Sequence, residues 1–503
     1  MHSLLIEVPP LELPLSIAQQ GLWYLARLDD AASAAYNMVF ALAASATIDR
    51  ALLARTLAVL QRRHEILRAS VPLRDDGPRL EIVAPDAAPP IVIAAAADSI
   101  EGFAQDETAR PFDLTRAPLL RATVVREGDG REGLVLTLPH IVFDGPSANF
   151  LFEELTTVSA HLARGETPEV ESAPHCATFV QLENAWVASE EGRATLDAVL
   201  ARLEGLPPRL DLGRRVAPAP GQIVYRTSVL EFFIEPRLAA RLADTARAAR
   251  ATPAAVHAGA FELLLWHLSG ERDFAITLPV MHRHAKGAER ALGYLTNLGV
   301  LRSTLDEEAR IEDFLGDVTD ALFEMLEARE LPFPLLAQRL ARHRRDPQSP
   351  LMQVGFNHEV AHPGATRLGD CDLQPLEIPM LWAKNELKLD VLETEGDALL
   401  ARRRSRRVGR RRGGRDGDAL LRAAAGDRGD AADAAGRPAA GHRGQVFDLT
   451  TAFIVGDRKC RGQVEDLTPN PFASPRQRNA RRRPSAPDSP AAAPDSRSAA
   501  RAA

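Results

Sequence analysis

A change of character after Leu400 constrains this chain more than any other feature. Of the last 103 residues only 12 are Leu, Ile, Val or Phe, well under the roughly 20% below which a charged chain fails to build a core. ARRRSRRVGRRRGGRDG places nine Arg between positions 402 and 415, and Ala, Arg, Gly, Pro, Asp and Ser dominate from there on. A core must therefore come from the first 400 residues. Charge divides at the same point: residues 401–503 carry 23 Lys plus Arg against 11 Asp plus Glu, a net of +12, leaving −19 for residues 1–400. The formal −7 of the whole chain describes neither part. A solvated, unfolded tail is the preferred reading of the Arg cluster over electrostatic binding of nucleic acid, because no aromatic residues are interleaved with it.

The 503 residues suggest two or three domains. Cys176, Cys371 and Cys460 are far apart and form no CxxC, which points away from a disulfide framework or a zinc site and toward a reducing cytoplasm. MHSLLIEVPP lacks the cationic and long apolar segments of a signal peptide, and no run approaches the ~20 apolar residues that cross a bilayer. A soluble cytoplasmic protein without membrane partners is expected.

The first 400 residues alternate helical and strand periods. Leu52, Leu53, Leu57, Leu60 and Leu67 recur at helical spacing, with Thr47 or Asp49 as the candidate cap. LLRATVV (119–125) and GLVLTL (133–138) flank the charged turn EGDGRE and predict a hairpin. Pro-rich GLPPRLDLGRRVAPAPG (205–221) predicts a linker between two α/β halves, spanning 11–205 and 222–400. Beyond it the spacing predicts helices over 236–250, 253–268 (ended by Gly270), 310–328 and after Pro334, and strands at FAITLPV, LMQVGF and ELKLDVLE.

Gly128, Gly130 and Gly133 spell GxGxxG, but a strand follows where a nucleotide site needs a helix, so they read as a hairpin turn. His282 and His284 form an HxH without further ligands and read as exposed loop histidines; no metal is expected. The informative segment is LPHIVFDGPS: His140, Asp144 and Gly145 directly follow a strand, where a tight Gly-containing turn can present an imidazole to a cleft while a carboxylate stays buried to orient the loop. An imidazole with an ordinary pKa of about 6.5 is the natural proton acceptor near neutrality. A bare HxxxD remains a weak signal, expected about once by chance among 13 histidines.

Several segments taken in order give it context. LPLSIAQQGLWYL (13–25), RRHEILRASV (62–71), LPHIVFDGPS, FAITLPVMHR, LGYLTNLGVLR with Asn297, ARELPFPLL and RRDPQSPLMQVGF together resemble the condensation domain of nonribosomal peptide synthetases, an HHxxxDG family, over about residues 11–395. The resemblance implies an α/β fold of two chloramphenicol-acetyltransferase-like subdomains in a V-shaped pseudo-dimer, with His140 catalytic in a tunnel between them. It implies Asp144, Gly145 and Arg283 as structural residues at the active site, with Asp144 paired to Arg283, and Ser147 and Asn297 as candidates for the substrate channel. No bound cofactor is implied. Substrates would arrive on the phosphopantetheine of peptidyl or acyl carrier proteins acting in trans, alongside other synthetase modules, and the reaction would be attack of an acceptor amine on a donor thioester.

Departures from the pattern are Gly21 for Arg, Pro139 for the first His of the motif and Ala328 for His; the DGPS continuation favours condensation over epimerisation. Two alternatives stand beside this reading: an acyltransferase of the same superfamily that takes acyl-CoA, and a noncatalytic carrier-docking module. Family members continue past ELKLDVLETEGD with one more strand and a helix. Here Arg-rich text begins instead, and Arg greatly outnumbers Lys, as in GC-rich coding DNA. The expectation is a shifted reading frame near codon 400, and an incomplete second half. Translating the other two frames is expected to yield a family-like strand and helix; finding neither would contradict the shift.

Overall fold

Leucines 52, 53, 57 and 60 form the buried stripe of the helix Arg50–Arg63, and the cap is Asp49, whose carboxylate accepts from the N–H groups of Ala51 (2.9 Å) and Leu52 (3.0 Å). This helix packs beside the helix Gly145–Ala163 over a six-stranded sheet in the computed structural model. The structure describes residues 11–406, apart from 29, 169–172, 174–175, 208, 213–224, 284–288, 343–349, 361–364, 379–381 and 394–398. All of these fall in one unit, Met1–Lys459.

Arg121–Arg126 and Glu132–Pro139 are the hairpin read from the sequence, and Gly130 (φ +89°) turns it. The GxGxxG glycines thus serve a turn and a strand start. Along the first sheet the strands run Thr366–Leu368, Cys371–Leu376, Asn37–Ala44, Glu132–Pro139, Arg121–Arg126, Val92–Ala96. Its first two strands come from the far end of the chain: Leu373 pairs with Ala44 and Leu376 with Ala41. Residues 366–376 therefore belong to the first half's sheet, which corrects the simple division at residue 222. Leu368, Cys371 and Leu373 are buried in the first half's core, so the apolar contribution of this segment is made there.

The second sheet, among the described residues, runs Thr296–Thr304, Asp273–Met281, Val354–Val360, Leu387–Glu393, Leu399–Arg406, Tyr225–Ile234, Trp382–Ala383. The helices Pro236–Ala248, Pro253–Ser269 and Ile311–Glu327 cover one face, with Phe261, Ile276, Phe356 and Leu389 at the centre of the core. Gly270 ends the second of these in the left-handed region (φ +72°), its N–H reaching the Trp266 carbonyl at 2.7 Å.

Two expectations about boundaries change. Residues 205–207 and 209–212 are packed rather than a free linker: Leu206 and Leu210 are buried, and the Leu210 main chain exchanges hydrogen bonds with the Gln353 amide at 2.9 and 2.8 Å; residues 208 and 213–221 lie outside the described residues. The folded pattern also continues past Leu400. The strand Leu399–Arg406 pairs antiparallel with Leu387–Glu393 on one side and with Tyr225–Ile234 on the other. The strand expected to be missing is thus occupied by LLARRRSR, because backbone hydrogen bonding accepts any side chain but proline. Residues 407–503, with the rest of the tail, lie outside the described residues.

Arg403 sits opposite Leu389 on one neighbour and Leu230 on the other, and Leu389 is 2% exposed.

Candidate active site

His140 directly follows the strand Glu132–Pro139 and opens a single 3-10 turn, His140–Val142. Its N–H donates to the Tyr36 carbonyl at 2.8 Å, which fixes the turn to the neighbouring strand. Pro139 fits here for a geometric reason. Hydrogen bonding alternates sides along a strand, so position 139 faces the Arg121–Arg126 neighbour, whose pairing begins only at Arg121, opposite Thr137. The missing N–H falls beyond the end of that ladder.

The imidazole is half-buried, and Nδ1 lies 2.8 Å from the Phe143 carbonyl. A carbonyl only accepts, so Nδ1 carries the proton and donates. Burial and then the nearby positive charge of Lys384 push the His140 pKa down to about 4, so the ring is neutral at physiological pH and Nε2 holds a free lone pair. The ring of Tyr294 meets it edge-on at 5.1 Å and that of Tyr36 lies 6.3 Å away. Burial pushes the Tyr36 phenol up to about 12 and the Tyr294 phenol up as well; both remain protonated.

Asp144 is the N-cap of the helix Gly145–Ala163, Oδ1 accepting from the Ser147 N–H at 3.0 Å and from its hydroxyl at 2.6 Å. Pro146 suits the first turn of that helix. Arg283, which follows the strand Asp273–Met281 in the second half, donates to both carboxylate oxygens, Nη1 to Oδ2 at 2.9 Å and Nη2 to Oδ1 at 2.5 Å. Oδ2 also accepts from the Leu295 N–H at 3.0 Å and the Thr296 hydroxyl at 2.9 Å. Asp144 is 0% and Arg283 6% exposed. Burial alone would raise the carboxyl pKa, but these donors, Arg283 foremost, outweigh it and leave it below the ordinary range.

The structure thus brings His140, Asp144, Ser147 and Arg283 into one cluster across the two halves. It gives other tasks to the two channel candidates. Ser147 is fully buried and exchanges hydrogen bonds with the Gly293 main chain, at 3.1 Å each way. Asn297, also buried, donates to the Arg329 and Leu331 carbonyls and accepts from the Phe333 N–H. Both side chains are occupied by main chain, so neither offers a polar atom to a channel. Gly145 is exposed at the first helical position, has no left-handed φ, and an added Cβ would meet nothing within 4 Å; the turn does not need a glycine there. His282 pairs with Glu330 and is half-buried rather than an exposed loop residue, and His284 lies outside the described residues.

Sequence reasoning passes over Gln19. Ser16 and Gln19 form a reciprocal cap (3.0 and 3.1 Å), and the Gln19 amide reaches the Ile141 carbonyl at 3.0 Å, bracing the His140 turn. The S-x-x-Q spacing is the signal that could have found it. Lys384, Tyr36 and Tyr294 carry none.

A condensation-domain profile matches residues 11–400. The chain belongs to the condensation-domain family. It is 30% identical over 352 residues to phosphinothricin tripeptide synthetase PhsC of Streptomyces viridochromogenes, covering 68% of this chain and 32% of that one. It is also 28% identical over 394 residues to chondramide synthase of Chondromyces crocatus, covering 76% and 10%. This condensation domain therefore spans less than a third of the length of either relative. The first condensation domain of the calcium-dependent antibiotic synthetase, solved with a substrate analogue, superposes with a TM-score of 0.64 at 20% identity, over 78% of this chain and 91% of that one. The starter condensation domain of rhizomide synthetase, solved with C8-CoA, gives 0.67 at 19%, over 78% and 89%. No helix among the described residues is long and apolar enough to cross a membrane.

Breaking one member of a buried ion pair strands the other charge. Asp144→Asn and Arg283→Gln are each expected to cost about 3–5 kcal/mol, and the double variant less than the two together. Denaturant unfolding of the three proteins checks this; additive losses would show that the pair is not one unit.

Proposed function

We propose that this condensation domain joins a carrier-bound acyl or peptidyl thioester to the amine of an acceptor, forming an amide, with both substrates on the phosphopantetheine of partner carrier proteins supplied in trans or by adjoining modules. The observation that carries this reading is the state of His140: a neutral ring with Nδ1–H engaged by Phe143 and Nε2 unprotonated. Membership of the family supports the reaction class.

In the step, the amine nitrogen bonds to the thioester carbonyl carbon and the C–S bond breaks; one proton leaves the amine and ends on the departing sulfur. His140 Nε2 accepts that N–H. Its lowered pKa guards the lone pair against protonation but also weakens it as a base, since proton abstraction is most effective when the catalytic pKa lies near the operating pH. Hydrogen-bond acceptance that orients the nitrogen is therefore its main task. Alignment of two tethered substrates supplies the larger share, within a ceiling of ~7–11 kcal/mol. The fixed Asp144–Arg283 pair holds the turn that aims the ring.

His140→Ala is expected to lower the single-turnover rate of amide formation from a carrier-bound donor by ~10- to 10²-fold if it orients and by up to ~10⁴-fold if it carries the proton. Full activity in that variant would overturn both roles. Offering the wild-type chain the same acyl group on carrier protein and on CoA checks the donor class; preference for CoA would favour the acyl-CoA acyltransferase instead.

A further inference from the structure

Lys384 belongs to the second half, three residues before the strand Leu387–Glu393, yet its ammonium reaches the first half: Nζ lies 3.8 Å from the centroid of the Tyr36 ring. That is well inside the ~6 Å reach of a cation–π contact. Tyr36 is also the residue whose carbonyl holds the His140 N–H at 2.8 Å, and its ring neighbours the imidazole. A fixed cation therefore stands against the residue that anchors His140.

We propose that Lys384 is a positioning residue of this active site: seated on the Tyr36 ring, its charge disfavours a second positive charge on the imidazole and so keeps Nε2 open to the incoming amine. The proposal rests on reading His140 as the acceptor of the amine N–H, and its test is chosen to stand apart from that reading. Among the described residues, the charges that act on the imidazole are those of Lys384 and Asp144. Asp144 pulls in the opposite direction, but its charge is matched by Arg283. Tyr36 and Tyr294 stay neutral, and Glu183 acts on Tyr294. Burial lowers the His140 pKa most, and Lys384 contributes next. Because Lys384 and His140 sit on different halves, the protonation of the ring also depends on how the halves are docked.

The sign follows directly. Removing a nearby positive charge raises the imidazole pKa, so Lys384→Met is expected to move the His140 titration midpoint upward by about one unit, whereas Lys384→Arg leaves it in place. The measurement is NMR of the full-length chain with ring-labelled histidine, the His140 signal being assigned by its loss in His140→Gln. In amide-forming assays the acid limb of the pH–rate profile shifts upward with it in Lys384→Met but not in Lys384→Arg. If Lys384→Met does not fold, Lys384→Gln serves. A midpoint unmoved in the Met or Gln variant overturns the proposal, as does an equal shift in Lys384→Arg. The titration needs no substrate: a protein inactive toward carrier-bound donors can still show the shift, and an active one can fail to, so the two readings fall separately.

Discussion

The Asp144–Arg283 pair is the interaction on which the rest of this structure depends, because it is buried, doubly hydrogen-bonded and joins the turn of the first half to a strand end of the second. A carboxylate with no exposed surface is tolerable only when its charge is neutralised and its lone pairs are filled. Asp144 meets that condition with donors from both sides: its own helix N-terminus through Ser147, and Arg283, Leu295 and Thr296 from the second half. Separating the halves would expose that requirement at once. The pair therefore acts as a latch as well as a local cap.

His140 inherits its geometry from this latch. The turn from His140 to Val142 is closed on one side by Tyr36 and on the other by the helix that Asp144 begins, with Gln19 bracing the middle. The ring then has little freedom beyond donating Nδ1–H to Phe143, and Nε2 is left as the acceptor. Lys384 on Tyr36 adds a charge from the second half. A short strand-end turn thus gathers orientation from one half and electrostatics from both.

Much of this is legible in the residues alone, and the failures are informative. The helices and strands of both halves follow from apolar periodicity, and Asp49 and Gly270 are readable as a cap and a stop. The Asp144–Arg283 partnership comes from ordered motifs rather than from spacing, since 139 residues separate the two. Ser147 and Asn297 defeat sequence reasoning for one reason: a small polar residue near a motif looks the same whether its atoms face a channel or main chain. Leu206 and Leu210 are hidden beneath a proline signal. The segment Leu399–Arg406 defies its composition because a gap between two strands can be closed by backbone pairing alone.

By itself the sequence determined the α/β fold class and the change of composition near Leu400, and it singled out His140 and Asp144 as candidates, because periodicity, composition and short motifs are local properties. Only the tertiary structure decided that residues 366–376 complete the first half's sheet, that Ser147 and Asn297 are held by main chain, and that Lys384 stands on Tyr36 beside the His140 turn. Those depend on which segments, distant along the chain, meet in space. Burial, charge neutralisation and strand pairing across that distance settle them, and no single stretch of residues records the outcome.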